Sequence, residues 1–218
     1  MTIKAVLFDF DGTLADTLPL CFESFRKLFR EYDGRHVSDE EVVSMFGPSE
    51  AGIIRIHLAK KEGVDQAIED FYASYEELHT EMVKPHREIA ELLQQLKASG
   101  IKLGIVTGKA RRSLDISLRL LELTDLFDVS ITGDDVTEPK PAPEGVLKAL
   151  SMLGAGQDEA VFVGDSDADI AAGRSAGVTV IGVRWLDVVQ SPVFAFEPDA
   201  TVSNAEEFRR YLAAFPQA

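Results

Sequence analysis

The chain is poor in cysteine, and it contains no long uninterrupted run of apolar residues. Its one cysteine, Cys21, excludes an internal disulfide and suits a reducing compartment. Because Cys21 falls within a helical pattern, we interpret it as a core thiol rather than a nucleophile. No apolar run is long enough to cross a bilayer, and the start of the sequence has no signal-peptide pattern. A cytoplasmic location is therefore expected.

Basic residues are also scarce relative to acidic ones. The 218 residues include 22 Lys and Arg against 37 Asp and Glu, which gives a formal net charge of −15. Such a charge argues against a nucleic acid or a membrane surface as the main partner. The four histidines and Cys21 show no grouping at ligand spacing, so we do not expect a zinc site. Nothing in the sequence indicates an oligomeric state.

The heptapeptide FDFDGTL, residues 8–14, is the feature around which the rest of the sequence is arranged. The apolar run before it, residues 5–8, predicts a strand that is buried on both faces of a parallel sheet. Two carboxylates, Asp9 and Asp11, follow where that strand ends, and a glycine comes next. Acidic residues and glycine also close strands in ordinary turns, so this stretch alone leaves both interpretations open.

Hydrophobic periodicity divides the remainder into a helical block and an alternating block. Between residues 16 and 84, apolar residues recur at steps of three and four, and nothing predicts a strand. From residue 85 onwards, strand and helix patterns alternate. The predicted strands cover residues 101–106, 128–132, 160–163 and 178–183, with a short last strand near Ala200. Such alternation predicts a doubly wound parallel α/β sheet with right-handed crossovers. We therefore expect a Rossmann-like core domain of residues 1–15 and 85–218, with residues 16–84 inserted as an all-helical cap domain.

Several helix boundaries carry recognisable signals. Ser38 is predicted to be the N-cap of a short helix at residues 39–46. Gly100 and Gly154 stand where left-handed C-terminal caps are expected. Further helices are predicted at about residues 50–61, 65–82 and 113–123.

Polar residues follow four successive strand ends. These groups are Asp9 with Asp11, Thr107, Lys140, and Asp165 with Asp169. Each has an ordinary explanation, because a threonine can cap a helix, a lysine can be solvated and acids favour helix N-termini. The carboxyl ends of the strands of an open sheet meet at one edge. The complete set therefore favours a common site.

In order and spacing, these residues resemble the four motifs of the haloacid dehalogenase-like hydrolase superfamily. The match rests on DFDGT (residues 9–13), the strand end at Thr107, the pair Lys140-Pro141 and GDSDAD (residues 164–169). It spans the chain from Phe8 to about Gly182. With its helical insertion and Asp16-Thr17, the chain is similar to the phosphoglycolate phosphatase and β-phosphoglucomutase branch.

The resemblance implies a Mg²⁺-dependent phosphatase that acts on a small phosphorylated metabolite. Asp9 would attack phosphorus and form an aspartyl-phosphate, and Asp11 would serve as general acid and base. The phosphate-binding groups would be Thr107, Gly108 and Lys140. A carboxylate that approaches a phosphate dianion to ~4 Å meets about 8 kcal/mol of repulsion at an effective dielectric constant of ~20, so such cationic and hydrogen-bonding groups are needed.

Clustered acids suit a hard cation with oxygen ligands, and Mg²⁺ is the expected ion. Asp9 and Asp165 would supply carboxylate oxygens, and the resemblance implies the main-chain carbonyl of Asp11 as a further ligand. Asp169 is better placed to orient the site or to pair with Lys140. Asp167 is interpreted as an acid whose charge interacts favourably with the N-terminus of a helix.

Other functions stay open at this point. A non-enzymatic phospho-acceptor switch would be shorter and would lack the helical insertion, and a dehalogenase would not need an acid at Asp11. A pyrophosphatase or a sugar phosphomutase is the more serious alternative. In β-phosphoglucomutases an arginine three residues after a cap-loop glycine binds the second phosphate, whereas here Glu50 follows Gly47 at that distance. Arg55 could substitute for that arginine.

The leaving group is not defined by the sequence. Phosphoglycolate, pyrophosphate, small sugar phosphates and nucleotides all remain candidate substrates. Four basic residues are candidates to contact an anionic leaving group: Arg55, Lys109, Arg111 and Arg112.

Overall fold

The computed structural model describes residues 2–215 of the chain. Within these residues, the strands are β1 (Ala5–Phe8), β2 (Lys102–Val106), β3 (Val129–Ile131), β4 (Ala160–Gly164), β5 (Thr179–Val183) and β6 (Ala200–Val202). They form one sheet in the order β3-β2-β1-β4-β5-β6, and every neighbouring pair is parallel. The order reverses at β1, so β1 and β4 form the switch point of a doubly wound sheet. The predicted fold class is confirmed.

The helices follow the predicted division of the chain into a helical block and an alternating block. They are α1 (Leu18–Asp33), α2 (Asp39–Ser44), α3 (Glu50–His57), α4 (Val64–Met82), α5 (Arg87–Ala98), α6 (Arg111–Leu120), α7 (Glu144–Leu153), α8 (Asp167–Ala176) and α9 (Ala205–Ala213). The first four lie between β1 and α5 and form the helical cap. The residues at which the cap begins and ends, 16 and 84, stay a prediction. Among the described residues, none of these helices has the length and apolar character needed to cross a membrane.

Strand β1 is buried on both faces, as the sequence predicts. Val6 and Phe8 pack into the hydrophobic cluster that includes α5, α9 and the cap helices. Ala5 and Leu7 pack into a second cluster with α7 and α8. Because side chains of a strand alternate between the two faces, four consecutive apolar residues are needed to serve both clusters. This burial fixes the position at which the chain leaves the sheet at Asp9.

The predicted helix caps are present. Ser38 accepts a hydrogen bond from the Glu41 amide (3.2 Å), and the Glu41 carboxylate accepts one from the Ser38 amide (2.7 Å). Gly154 ends α7 at a φ of +64°, and Gly100 has a φ of +81°, a region that favours glycine.

Some boundaries differ from the prediction because distant residues bind the backbone. The helix predicted for residues 50–61 ends at His57, since Lys61 Nζ binds the carbonyls of Arg55 (2.7 Å) and Ile56 (3.1 Å). The strand predicted for residues 128–132 is limited to Val129–Ile131. The Asp128 carboxylate accepts a hydrogen bond from the Leu103 amide (2.8 Å), which ties that residue to the start of β2.

Cap helix α4 lies along core helix α6. The Tyr75 hydroxyl and Ser117 Oγ form a buried hydrogen bond of 2.9 Å. On the exposed side of this contact, Glu69 pairs with Arg112 (2.7 Å) and Glu76 pairs with Arg119 (2.6 Å). The partners on each helix are separated by about two turns, so both pairs lie on the facing sides. These contacts hold the cap over the carboxyl edge of the sheet.

A buried histidine in α4 gives the stability of the protein a pH dependence. His79 is 1% exposed beside the Tyr75 ring, and burial lowers the pKa of its imidazole from 6.5 to about 4. Between these values the unfolded chain binds a proton that the folded chain does not. The free energy of unfolding should therefore fall as the pH falls through this window, by up to ~3 kcal/mol from His79.

Urea unfolding of the wild type and of His79→Leu, measured near pH 7 and near pH 4.5, tests this prediction. The wild type should lose more stability than the variant on acidification. An equivalent substitution of the exposed His36 is the matched control. Parallel losses for the wild type and His79→Leu would show that His79 does not carry this pH dependence.

Candidate active site

Three buried carboxylates meet where β1 and β4 end. Asp9 follows β1, Asp165 follows β4, and Asp169 lies in the first turn of α8. One oxygen from each lies within 4.8 Å of the others, and the three residues are 2%, 0% and 0% exposed. Because β1 and β4 pair in register, with Phe8 opposite Val163, the residues that follow the two strands emerge side by side.

Lys140 lies between two of these acids. Its Nζ is 2.7 Å from Asp9 Oδ1 and 2.6 Å from Asp169 Oδ1, and it also contacts the Val106 carbonyl (3.3 Å). Burial disfavours the ammonium charge, but the Asp169 and Asp9 carboxylates raise the pKa of Lys140 above its usual value. Lys140 is therefore a fixed cation in the site.

Asp169 is fully engaged by the protein. Its Oδ1 accepts from Lys140, and its Oδ2 accepts from the Ser166 amide (3.0 Å) and hydroxyl (2.6 Å). The Asp169 amide donates in return to Ser166 Oγ (3.2 Å), and the two amide hydrogen bonds form a capping box at the start of α8. With Lys140 on one oxygen and Ser166 on the other, this carboxylate is suited to orienting Lys140.

The site holds more negative than positive charge. Burial and the Asp169 charge raise the pKa of Asp9 to about 7, and burial and the Asp9 charge raise the pKa of Asp165. Within the described residues, Lys140 is the only donor to the Asp9 carboxylate. Buried oxygen atoms with uncompensated charge fit a hard divalent cation such as Mg²⁺.

Gly12 and Thr13 pack tightly against Asp165. A Cβ atom at Gly12, whose φ is +80°, would overlap the Asp165 carboxylate. Thr13 Oγ1 donates to Asp165 Oδ1 (3.1 Å), and the Gln190 amide donates to Oδ2 (2.6 Å). Glycine at position 12 therefore allows the DFDGT segment and Asp165 to approach each other closely.

Asp11 is held by a second buried cation. Its Oδ1 accepts from Thr17 Oγ1 (2.5 Å) and from Lys109 Nζ (3.0 Å). Although burial disfavours its charge, Lys109 has a raised pKa because the Asp11 carboxylate lies beside it. Lys109 Nζ also lies 3.5 Å from Glu50 Oε1 and 4.6 Å from the centre of the Tyr75 ring. Lys109 thus joins a core acid to two residues of the cap.

Glu50 docks the cap against α6. Its Oε2 accepts from the Ala110 amide (2.5 Å) and its Oε1 from Ser113 Oγ (2.5 Å). A carboxylate at this position satisfies free amide groups and interacts favourably with the helix dipole.

A cavity of about 100 Å³ separates the sheet edge from the cap. Its core side is lined by Asp9, Asp11, Thr107, Gly108, Lys109 and Lys140, and its cap side includes Cys21, Phe25, Phe46, Glu50 and Ile53. A single water needs about 10–15 Å³ on such a scale, and pockets for drug-sized ligands measure about 300–1,000 Å³. The cavity therefore suits a small ligand.

Several sequence expectations can be compared directly with this geometry. Asp9, Asp11, Thr107 and Lys140 line one cavity, as does Lys109. Asp165 and Asp169 do not line it, but they lie beside Asp9. Arg55, Arg111 and Arg112 do not line it, because they pair with Asp65 (2.9 Å), Asp135 (2.6 Å) and Glu69 (2.7 Å) respectively. Burial raises the pKa of the Cys21 thiol, in keeping with its interpretation as a core residue.

One contribution to the site had no signal in the sequence, and a second was given no role there. Gln190 lines the cavity, although no recognisable pattern follows Trp185. Thr17, which the sequence offered only as part of the Asp16-Thr17 pair, orients Asp11 from the residue before α1.

Known proteins are similar to this chain in sequence and in fold. A family model described as haloacid dehalogenase-like hydrolase matches residues 6–183. Pyrophosphatase PpaX of Bacillus cereus (strain AH820) is 37% identical over 217 residues, which cover 98% of each protein. A structure from Haemophilus somnus 129PT, described as a predicted phosphoglycolate phosphatase, has a TM-score of 0.81 and 23% identity over 97% of this chain and 98% of that one. A β-phosphoglucomutase of Clostridium difficile has a TM-score of 0.77 and 22% identity over 98% of both chains.

Proposed function

The chain belongs to the haloacid dehalogenase-like hydrolase family and is a hydrolase of the phosphatase type, and on this premise we propose that it releases phosphate from a small phosphorylated metabolite through an aspartyl-phosphate on Asp9. One observation carries the proposal. Asp9, Lys140 and Thr107 meet at one wall of a cavity that has room for a small substrate.

Asp9 is the nucleophile in this proposal. Its carboxylate lies at the cavity wall with Lys140 Nζ at 2.7 Å. That ammonium group offsets the repulsion between the attacking carboxylate and the phosphate, and it stabilises charge on the transferring phosphoryl group. The Thr107 hydroxyl and Gly108 line the same wall and complete the phosphate seat. The bond from Asp9 to phosphorus forms as the bond from phosphorus to the leaving oxygen breaks.

Mg²⁺ would be held by Asp9 and Asp165, with the main-chain carbonyl of Asp11 as the ligand that the family resemblance adds. When bound, the ion neutralises negative charge on the carboxylates and the phosphate and polarises the phosphoryl oxygens. The excess of buried carboxylates over buried lysines at this point supports the assignment.

Asp11 is the general acid and base. Two donors, Lys109 and Thr17, hold its Oδ1, so that one orientation of the carboxyl group is favoured. In the first half-reaction Asp11 gives a proton to the leaving oxygen. In the second it takes a proton from the water that attacks the aspartyl-phosphate.

Pyrophosphate is the second candidate substrate. The 37% identity to a pyrophosphatase over nearly the whole chain favours it. A phosphate leaving group is small and anionic. Lys109, on the core side of the cavity and beside Glu50 of the cap, supplies a buried cation for it.

Hydrolysis is favoured over a phosphomutase reaction. Glu50 lines the cavity where a mutase would need a cation for a second phosphate. Arg55, the possible substitute, is exposed and paired with Asp65. Of the residues that the structure describes, the cap therefore presents a carboxylate and no arginine at this wall of the cavity.

The first prediction concerns the nucleophile. Asp9→Asn should lose nearly all turnover, because an amide cannot form the acyl phosphate. Its metal-free stability should be equal to or higher than that of the wild type, since one of three mutually repelling buried acids becomes neutral. Steady-state phosphate release and thermal unfolding measure the two effects.

In parallel, borohydride reduction of the wild type during turnover should convert phosphorylated Asp9 to homoserine, because an acyl phosphate is reduced and a free carboxylate is not; peptide mass spectrometry detects the product. Near-normal turnover of Asp9→Asn, or an Asp9 that is never reduced during turnover, would exclude the covalent mechanism.

The second prediction separates the metal ligand from the lysine. Chelation of divalent ions should abolish activity, and Mg²⁺ should restore it. Asp165→Ala should raise the Mg²⁺ concentration needed for half-maximal activity, because a direct ligand is lost. Lys140→Ala should instead lower turnover by about two to three orders of magnitude at saturating Mg²⁺.

The exposed residues Asp158 and Lys148, each changed to alanine, are the matched controls and should leave both quantities unchanged. An unaltered Mg²⁺ dependence of Asp165→Ala would show that the ligand assignment is wrong.

The third prediction concerns the substrate. The small cavity predicts that kcat/KM for pyrophosphate or phosphoglycolate exceeds that for nucleotides, whose bases would have to displace the cap. A phosphate-release assay over a panel of phosphorylated metabolites with Mg²⁺ measures this ranking.

Incubation with β-glucose 1-phosphate and catalytic glucose 1,6-bisphosphate should yield inorganic phosphate and little glucose 6-phosphate. Isomerisation that is faster than phosphate release from every compound of the panel would overturn the hydrolase proposal in favour of a mutase.

A further inference from the structure

Residues 185–199, which make up all but the first residue of the segment between β5 and β6, are irregular in structure but firmly attached to the core; we name them the strap. At its start, Trp185 Nε1 donates to the Thr13 carbonyl (2.7 Å), and the indole packs against the Phe208 ring. Further along, Phe194 packs so closely on Gly182 that a Cβ atom there would overlap its ring. The Arg184 guanidinium lies 4.2 Å from the centre of the same ring.

The middle of the strap contacts the turn that carries Asp165. The Gln190 amide donates to Asp165 Oδ2 (2.6 Å), and the Ser191 amide donates to the Asp165 carbonyl (3.2 Å). Ser191 Oγ accepts from the Asp167 amide (3.0 Å), and the Asp167 carboxylate accepts from the Ala195 amide (2.7 Å). The strap therefore binds both the side chain and the backbone at this strand end.

We propose that the strap positions Asp165 for Mg²⁺ binding through the Gln190 amide and Ser191, and that the Gln190 side chain forms the adjoining wall of the substrate cavity. The positioning role rests on the proposed function, because it presupposes that Asp165 is a metal ligand.

Three features of the structure support the proposal. Asp165 is fully buried among other carboxylates, so it needs hydrogen-bond donors to hold one orientation as an anion. The strap supplies the donor to Oδ2, and Thr13 supplies the donor to Oδ1. Thr13 is in turn bound by Trp185, so the strap reaches both oxygens of Asp165, one directly and one through Thr13. Partners of this kind change metal affinity by about 10- to 100-fold when they are removed.

The experiment measures Mg²⁺ binding to the full chain by titration calorimetry. Gln190→Pro removes the amide hydrogen, and it should weaken Mg²⁺ binding by about 10- to 100-fold. Gln190→Ala keeps that hydrogen, so its Mg²⁺ affinity should equal that of the wild type while KM for the substrate changes. Val193→Pro is the matched proline control, because Val193 is 82% exposed and its amide has no acceptor among the described residues.

Ser191 provides a test that does not depend on a proline. Ser191→Ala should weaken Mg²⁺ binding, and Ser191→Thr should restore it, because threonine keeps the hydroxyl that Asp167 binds. Trp185 is the only tryptophan of the chain, so an unchanged emission spectrum shows that the start of the strap stays in place in each variant. Thermal unfolding monitors the fold.

The outcomes distinguish the positioning role of the strap from the proposed metal site itself. If the wild type binds Mg²⁺ and Asp165→Ala does not, while Gln190→Pro and Ser191→Ala bind as the wild type does, the strap inference is overturned and the metal site stands. If the wild type does not bind Mg²⁺, the proposed metal site and the positioning role of the strap both fail.

Discussion

Burial of like charges at one point of the sheet is the constraint on which the rest of the site depends. Parallel pairing of β1 and β4 delivers Asp9 and Asp165 to the same buried position, and α8 adds Asp169. Isolated carboxylates are expensive to bury, so each must find a donor or a cation. Lys140, Ser166, Thr13 and the Gln190 amide meet part of this requirement. Burial and the remaining negative charge raise the pKa of Asp9 to about 7, and a bound divalent cation would offset that charge.

A second set of buried charges links the cap to Asp11, the proposed general acid and base. Glu50 from α3 lies beside Lys109, and Lys109 contacts Asp11. Removal of one partner from a buried ion pair costs about 3–5 kcal/mol, because the other charge is left without compensation. A movement of the cap away from the core would separate Glu50 from Lys109 and from the N-terminus of α6. Glu50 and Lys109 therefore take part both in the contact between cap and core and in holding Asp11, the proposed general acid.

Much of this arrangement could be predicted from the sequence because its signals are local. Four apolar residues followed by Asp9, and a glycine after Asp11, are contiguous, and the doubly wound sheet then brings the strand ends together. The contacts that escaped prediction join residues far apart in the chain. Helix α6 begins at Arg111 rather than near Ser113, since Glu50 binds the Ala110 amide and Asp134 binds the Arg111 amide. Gln190 reaches Asp165 only because β4 and β5 are neighbours in the folded sheet, and no local pattern encodes that contact.

The distribution of the cations explains how a chain of net charge −15 can offer a seat to an anion. Arg55, Arg111 and Arg112 are partly exposed and paired with carboxylates on the surface, where water and salt screen them. Lys109 is instead buried at the cavity wall, and the side chain of Lys140 there is only 12% exposed, so screening is weak. Net charge governs the field far from the molecule, whereas these two ammonium groups govern the field within the cavity. A small phosphate compound inside the cavity would therefore lie beside two fixed cations despite the negative charge of the whole chain. The acids that hold those cations in place are also the acids proposed to carry out the reaction.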